Sequence, residues 1–365
     1  MPDDVIGVGV LGYGWISRAH AHALETLNHI RPLPARIRLV SIAGRRREPL
    51  EAAARELGFE RWTTSWEELV ADPDVDVVAN LFAAEGHADP TLAAVAAGKA
   101  VLCEKPLGVD AAESKAMYEA AEDAGVTHAV GFNYRYLPAV ALAKQLLVEG
   151  RLGELRHYRA LYLQDYATAG GQERSSGGAG AVLDYSHLVD MLRFLVGEPS
   201  AVSATTSKLV SELDDAYVAL FEFADGLVAA LEASRVATGW KGRHRFEVNG
   251  SLGSAWWDME DPNRLHVFLT DDEREGLGGF RDVLVTEPGH PYLDQWWPPG
   301  HVLGWEHGFM HQWRDFLEAV LGGRPVPARQ ASFEDGYRAA VLCEAVQTAA
   351  REGRRIGLAE IAAAF

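Results

Sequence analysis

Val5-Ile6-Gly7-Val8-Gly9-Val10-Leu11-Gly12-Tyr13-Gly14-Trp15-Ile16-Ser17 is the stretch on which the fold turns. Its first seven residues form an apolar run of strand length, and Ile16 to Leu27 continues with helical spacing. Gly12 and Gly14 therefore fall at a strand-to-helix junction. Glycine at the first position permits a tight turn, and glycine at the second lets the backbone approach a phosphate. The N–H groups that open the helix at Trp15 and Ile16 favour a negative pyrophosphate. An overlapping Gly7-x-Gly9-x-x-Gly12 matches the dinucleotide fingerprint literally, but it lies inside the apolar run and cannot form the turn. Ser17 takes the third-glycine position and is small enough for helix to approach strand. The plainer alternative is a tight turn that needs glycine for packing alone.

Outward from this junction the β-α alternation continues. Ile37 to Ala43, Val75 to Phe82, Ala100 to Cys103 and Thr127 to Phe132 read as strands; Pro49 to Leu57, Pro90 to Ala97 and Asp110 to Ala124 read as helices. The pattern predicts an α/β dinucleotide-binding (Rossmann) domain over residues 1–132, a doubly wound parallel sheet. From Asn133 onward it changes to successive alternating segments: Leu155 to Leu163, Val202 to Val210, Ala216 to Phe223, Leu227 to Ala233 and Arg245 to Asn249. These predict an α+β domain over 133–365 with a large, mostly antiparallel, open-faced sheet for substrate binding and oligomerisation. A length of 365 residues suits two cores. The Gly/Ser-rich stretch Ala167 to Gly180 reads as a lid or a connector, and Pro288 to Gly304 as an ordered aromatic loop.

A formal charge of −18, from 52 acidic and 34 basic residues, repels phosphate backbones and anionic lipid, which argues against nucleic-acid and membrane partners. A small neutral substrate is compatible with that field. No long apolar run or signal-like start is present, and Cys103 and Cys343 are too few for a disulfide framework, so a cytoplasmic protein with reduced thiols is expected. The second strand ends Ile42-Ala43-Gly44 and continues Arg45-Arg46-Arg47. An NAD site usually places a carboxylate there for the ribose 2′-hydroxyl. With guanidiniums instead, NADP is favoured over NAD, the alternative being a solvated basic helix start.

Leu102-Cys103-Glu104-Lys105-Pro106-Leu107, together with Gly12-x-Gly14, resembles the glucose-fructose oxidoreductase/inositol dehydrogenase/rhizopine catabolism (Gfo/Idh/MocA) family. The resemblance covers essentially the whole chain. Gly131 to Tyr136, Tyr162 to Tyr166, Gly180 to Asp190 and Phe333 to Tyr337 follow in the family's order, and Pro138 to Glu149 and Tyr162 to Tyr166 are most similar to its anhydrosugar- and inositol-dehydrogenase-like members. It implies NAD(P)-dependent hydride transfer to or from a secondary hydroxyl of a sugar, anhydrosugar or inositol, in a homodimer or homotetramer joined through the exposed sheet face. Lys105 would hydrogen-bond the reacting hydroxyl, His187 would accept its proton, and Asp184 would support His187. These residue types suit the chemistry, because oxidising a carbinol needs a base for the hydroxyl proton and a cation for the developing alkoxide.

The resemblance also implies that Glu104 and Lys105 border the cofactor, and that Tyr134, Gln164, Asp165, Tyr166 and His187 line the sugar site. Asp335 and Tyr337 would border the nicotinamide. The sequence departs from the family in three places. Asp184-Tyr185-Ser186-His187 spaces the pair three apart where relatives use four; if the His187-x-x-Asp190 register is kept, Leu183 stands where the aspartate should be. Phe82-Ala83-Ala84 replaces Thr-Pro-Asn near the cofactor, although His87 matches the histidine that follows. The loop before Gly180 lacks the usual Trp-Arg. Glu306, His307 and His311 raise a metal question because the two histidines, four apart, share one helix face, but they lack zinc-protease order, so no metal is expected and His307 reads as a substrate contact. Two other function classes stay open: a glycoside-cleaving enzyme that uses transient oxidation, and a non-catalytic dinucleotide sensor.

Overall fold

The computed structural model describes residues 4–30, 32–168, 179–274 and 276–364. It divides into two compact units: Met1–Asn133 with Glu306–Arg338, and Tyr134–Trp305 with Ala339–Phe365.

The first unit alternates β1 (Val5–Leu11), α1 (Trp15–Leu27), β2 (Arg36–Ala43), α2 (Arg47–Glu56), β3 (Arg61–Thr63), α3 (Trp66–Ala71), β4 (Val77–Asn80), α4 (Ala88–Ala96), β5 (Ala100–Cys103), α5 (Ala111–Ala124) and β6 (His128–Val130). All pairings are parallel in the order β3-β2-β1-β4-β5-β6. The strand order reverses between β1 and β4, which opens a binding crevice at their C-terminal ends. The turns after β1, β4 and β5 carry Gly12, Phe82 and Lys105 to that same edge. Helix ends follow ordinary capping chemistry: Asp110 accepts from the Glu113 amide at 2.8 Å, and α5 stops at Gly125 with φ +64°. β3 and α3 are too short to show a period in sequence; Ser65 caps α3 by accepting from the Glu68 amide.

The second unit contains α6 (Pro138–Val148), β7 (Leu155–Leu163), α7 (Ala181–Asp184), α8 (Ser186–Leu195), β8 (Ala201–Ser207), β9 (Ala216–Glu222), β10 (Val228–Ser234), β11 (Arg243–Gly250), β12 (Gly253–Asp258), β13 (Arg264–Leu269), α9 (Thr270–Arg274) and β14 (Arg281–Leu284). The chain then forms α10 (His307–Leu321), α11 (Phe333–Glu352), β15 (Ile356–Gly357) and α12 (Leu358–Ala362). The sheet order is β14-β13-β12-β11-β7-β10-β9-β8-β15. Within this sheet, among the described residues, only β7 and β10 pair in parallel. Alternation along β9 buries Tyr217, Ala219 and Phe221 while Val218 and Leu220 remain about half exposed, so one face of this sheet is open.

The division expected at 132/133 did not anticipate the return of 306–338 to the first unit. Tertiary hydrogen bonds cause it: Gln312 of α10 donates to the Val130 carbonyl at 2.8 Å, Trp313 to His20 at 2.9 Å, and the Phe333 amide to His128 at 3.0 Å. α11 crosses the division after Arg338. The aromatic loop is ordered by Asn263, whose amide both donates to and accepts from Leu303 at 2.8 Å. Most of the expected lid, residues 169–178, lies outside the described residues. Among those described, no helix is long and apolar enough to cross a membrane, and both cysteines are buried.

Candidate active site

The turn after β1 has the geometry that its sequence requires. Gly12 sits at φ +107°, and a Cβ there would lie 2.8 Å from the Leu81 carbonyl oxygen. Gly14 caps α1, and nothing lies within 4 Å of where its Cβ would stand, so the backbone is open to a close ligand. Ser17, buried, donates its hydroxyl to the Gly12 carbonyl at 3.0 Å and so ties the turn to the helix. Gly7 and Gly9 are packing glycines: added Cβ atoms would meet the Asp74 carbonyl at 1.8 Å and the Leu69 side chain at 2.7 Å. The literal fingerprint is thus a decoy, and the one offset from it fits a pyrophosphate.

At the end of β2, the Tyr13 ring lies over Gly44, where a Cβ would be 2.3 Å from it, and Arg46 donates to the Tyr13 hydroxyl at 3.3 Å. That bond, with the attraction of the phenol, raises the Arg46 guanidinium's affinity for its proton. Arg45 is exposed beside it, while Arg47 packs over Trp62 at 5.2 Å.

After β5, the buried Glu104 carboxylate faces two ways. One oxygen lies 3.1 Å from His20 Nε2, and the other accepts from the Lys105 backbone N–H at 3.0 Å. Gly131 leaves room for it, since a Cβ there would come within 2.5 Å of the carboxylate. His87, expected at the cofactor, ties two loops together. It is fully buried, with Nδ1 at 2.9 Å from the Pro106 carbonyl and Nε2 at 2.9 Å from the Phe82 carbonyl, and so braces the Phe82 loop against the Lys105-Pro106 turn. The substituted Phe82-Ala83-Ala84 segment is rebuilt around this brace.

In the second unit, His187 occupies the first turn of α8 and is largely buried. The Tyr134 ring lies 4.5 Å from its imidazole, and the Tyr134 and Tyr162 hydroxyls bond at 2.8 Å. Tyr162 in turn packs against Tyr185 at 4.7 Å and stacks on His244 at 4.8 Å. Among the described residues neither ring nitrogen of His244 has a hydrogen-bond partner, and burial pushes its pKa down to about 3. Sequence reading passed over His244, although its inward place in the alternation of β11 marks a buried histidine.

The shortened Asp184–His187 spacing is met by a break, not a continuous helix. α7 ends at Asp184, Tyr185 adopts φ −93° and ψ 29°, and α8 starts at Ser186. Asp184 accepts a 2.5 Å bond from Tyr166, whose phenol is pushed up by burial and then by the carboxylate. Asp190 belongs to a different contact, a buried ion pair with Arg135.

Other expected substrate residues make structural bonds. Gln164 donates to the Lys241 carbonyl at 2.9 Å; Asp165 accepts from Lys241 Nζ at 2.6 Å and from the Gly239 amide at 3.0 Å. Both fasten the 237–241 turn. His307 opens α10 in the first unit, 3.4 Å from the Glu306 carboxylate. Asp335 accepts from the Ser332 amide at the start of α11, and Tyr337 stacks on Tyr118 at 6.2 Å. Among the described residues, no three His, Cys, Asp or Glu side chains are grouped to hold a metal.

Two family profiles match the chain: an oxidoreductase-family NAD-binding Rossmann fold over residues 6–132, and the GFO/IDH/MocA C-terminal domain over 140–256. The chain belongs to the Gfo/Idh/MocA oxidoreductase family. It is 35% identical to levoglucosan dehydrogenase of Pseudarthrobacter phenanthrenivorans, over 95% of this chain and 97% of that protein. It is 27% identical to inositol 2-dehydrogenase of Rhizobium meliloti, over 96% of this chain and 98% of the relative. A solved structure of levoglucosan dehydrogenase in complex with NADH and L-sorbose superposes with a TM-score of 0.92 at 35% identity, covering 97% of this chain and 99% of that one. As a member of the family, the protein is an NAD(P)-dependent dehydrogenase acting on CH–OH groups.

Proposed function

We propose that the protein oxidises, reversibly, a secondary hydroxyl of a cyclic sugar, anhydrosugar or inositol, with Lys105 and His187 as the groups that handle the hydroxyl. The observation that carries this is the convergence of Gly12, Phe82 and Lys105 on the C-terminal edge of one parallel sheet, with Lys105 anchored by a buried carboxylate. Gly12, Gly14 and the first turn of α1 would hold the dinucleotide. When bound, the nicotinamide supplies the hydride acceptor. Lys105 polarises the carbinol oxygen and stabilises the alkoxide that develops on it; His187 takes the hydroxyl proton. Asp184, held by Tyr166, supports His187, and Tyr134 shapes the pocket wall beside it.

The finer cofactor choice is NADP. β2 ends without a carboxylate, and Arg45 with the Tyr13-bound Arg46 offers positive charge where a 2′-phosphate would lie. The open face of the second sheet, with Val218, Leu220 and Val228 about half exposed, suits self-association as a homodimer or homotetramer.

The test is a panel of levoglucosan, inositols and sugars run with NAD and NADP in parallel, on wild type and Lys105→Ala. Lys105→Ala is expected to lower turnover by about 10²–10³-fold while cofactor binding stays intact. Unchanged turnover overturns the assignment. Glycoside cleavage without accumulation of reduced nicotinamide replaces it with the transient-oxidation reading.

A further inference from the structure

His20 is fully buried on α1, the helix whose first turn follows Gly14. The Trp313 indole donates to its Nδ1 at 2.9 Å, and its Nε2 lies 3.1 Å from a Glu104 oxygen. An indole N–H can only donate, so Nδ1 carries the lone pair and the ring proton sits on Nε2. His20 thus donates to Glu104, whose other oxygen accepts the Lys105 N–H at 3.0 Å. Phe309 and Trp313 of α10 meet the imidazole edge-on at 4.9 and 5.8 Å. Gly131 makes room for the carboxylate, since a Cβ there would come within 2.5 Å of the oxygen that faces His20.

We propose that His20, with its tautomer set by Trp313, is a positioning residue that acts through Glu104 to fix the Lys105 turn against α1. This rests on the reading that Lys105 handles the substrate hydroxyl. The consequence is mechanical: the helix that opens the dinucleotide turn also holds the backbone from which the Lys105 ammonium projects. Rotation of the Glu104 carboxylate would swing the Lys105 peptide and displace an amine carried on a four-carbon stem. Displacement of about 1 Å at a reacting group costs about 10²-fold in rate.

Two measurements test this, one of them independent of turnover. In the free protein, ¹⁵N-histidine spectra should show His20 as the Nε2–H tautomer, and Trp313→Phe should release that preference. An Nδ1–H tautomer or a doubly protonated ring overturns the proposal. In steady state with whichever of the panel substrates wild type oxidises, His20→Leu should lower kcat by about 10²-fold. Its reduced-cofactor dissociation constant should stay within about twofold of wild type, and the primary deuterium isotope effect should rise as hydride transfer becomes slow. His20→Gln, which keeps an N–H at the Nε2 place, should recover most of the loss. If His20→Leu does not fold, the comparison of His20→Gln with Trp313→Phe decides: activity kept in the first and reduced in the second supports the proposal, and equal activity overturns it. Wild-type kcat in His20→Leu beside an inactive Lys105→Ala overturns the positioning role alone, whereas an active Lys105→Ala overturns the catalytic reading itself.

Discussion

The surroundings of Glu104 and those of His187 are built on opposite principles. Around Glu104, buried polar groups meet directional partners: Asn80 donates to the His87 carbonyl at 3.0 Å and to Thr91 at 3.1 Å, His87 spans two loops, and His20 joins Trp313 to Glu104. Around His187 the packing is of rings: Tyr134, Tyr162, Tyr185, His244 and Trp257 lie with centroids 4.5 to 5.6 Å from a neighbour. There, both His244 nitrogens are buried without a hydrogen bond among the described residues. A bonded network fixes angles and fails when one proton is missing. A ring cluster tolerates changes that keep its shape but resists any new charge.

The largest effect should come from the one ring in this cluster with a proposed chemical role. His187→Ala is expected to reduce turnover by about 10³-fold, with the reduced-cofactor dissociation constant unchanged in a fluorescence titration. If activity survives, the ring cluster is a packing feature only and the contrast loses its functional meaning.

Next in size is a stability change at Asp215, where the second unit does use directional bonds. Its carboxylate accepts from the Leu209 and Val210 amides at 2.6 and 2.7 Å and from Arg235 at 2.8 Å. Burial alone would raise its pKa, but these donors outweigh that and hold it at about 2. The folded value lies below the unfolded one of about 3.9, so the stabilisation is complete above about pH 4 and is lost as pH falls towards about 2. Arg235→Met leaves the charge buried without its cation and should cost about 3–5 kcal/mol in urea unfolding. A loss below about 1 kcal/mol would show that the amides alone suffice and that this anchor is no exception.

These two regions were not equally legible in the sequence. The Gly12-Tyr13-Gly14 turn and the Glu104-Lys105-Pro106 turn are contiguous, so residue order alone displays them and the strand edge on which they lie. Their supports are not contiguous: Trp313 is 293 residues from His20, in a segment whose periodicity gives no sign of which unit it joins. The His187 region is assembled from separated segments, and its bonds depend on which side of a strand end each residue faces. Gln164, Asp165 and Tyr166 read as sugar ligands, and no pattern announces that Gln164 and Asp165 also clasp the turn at Lys241 or that the Tyr166 hydroxyl bonds Asp184. The helix break at Tyr185 has no sequence signature either, since neither proline nor glycine marks it.

The smallest predicted effect is also the most direct probe of the ring cluster. His244 lies in a site that excludes charge: its folded pKa is about 3, depressed by burial, against about 6.5 in the unfolded chain. Between those values the unfolded chain binds a proton that the folded protein refuses. Stability is therefore at its full value above about pH 6.5 and declines as pH falls towards about 3, with a slope approaching about 1.4 kcal/mol per pH unit. His244→Phe keeps the stack on Tyr162 and removes both unbonded nitrogens, at the cost of a slightly larger ring. At neutral pH the two terms offset to within about 1 kcal/mol. At about pH 5.5 the variant should have lost about 1.4 kcal/mol less than wild type relative to about pH 7.5, measured by urea unfolding at both values. Parallel pH dependence in the two proteins would mean that His244 binds a proton when folded, and hence that the cluster behind His187 admits charge after all.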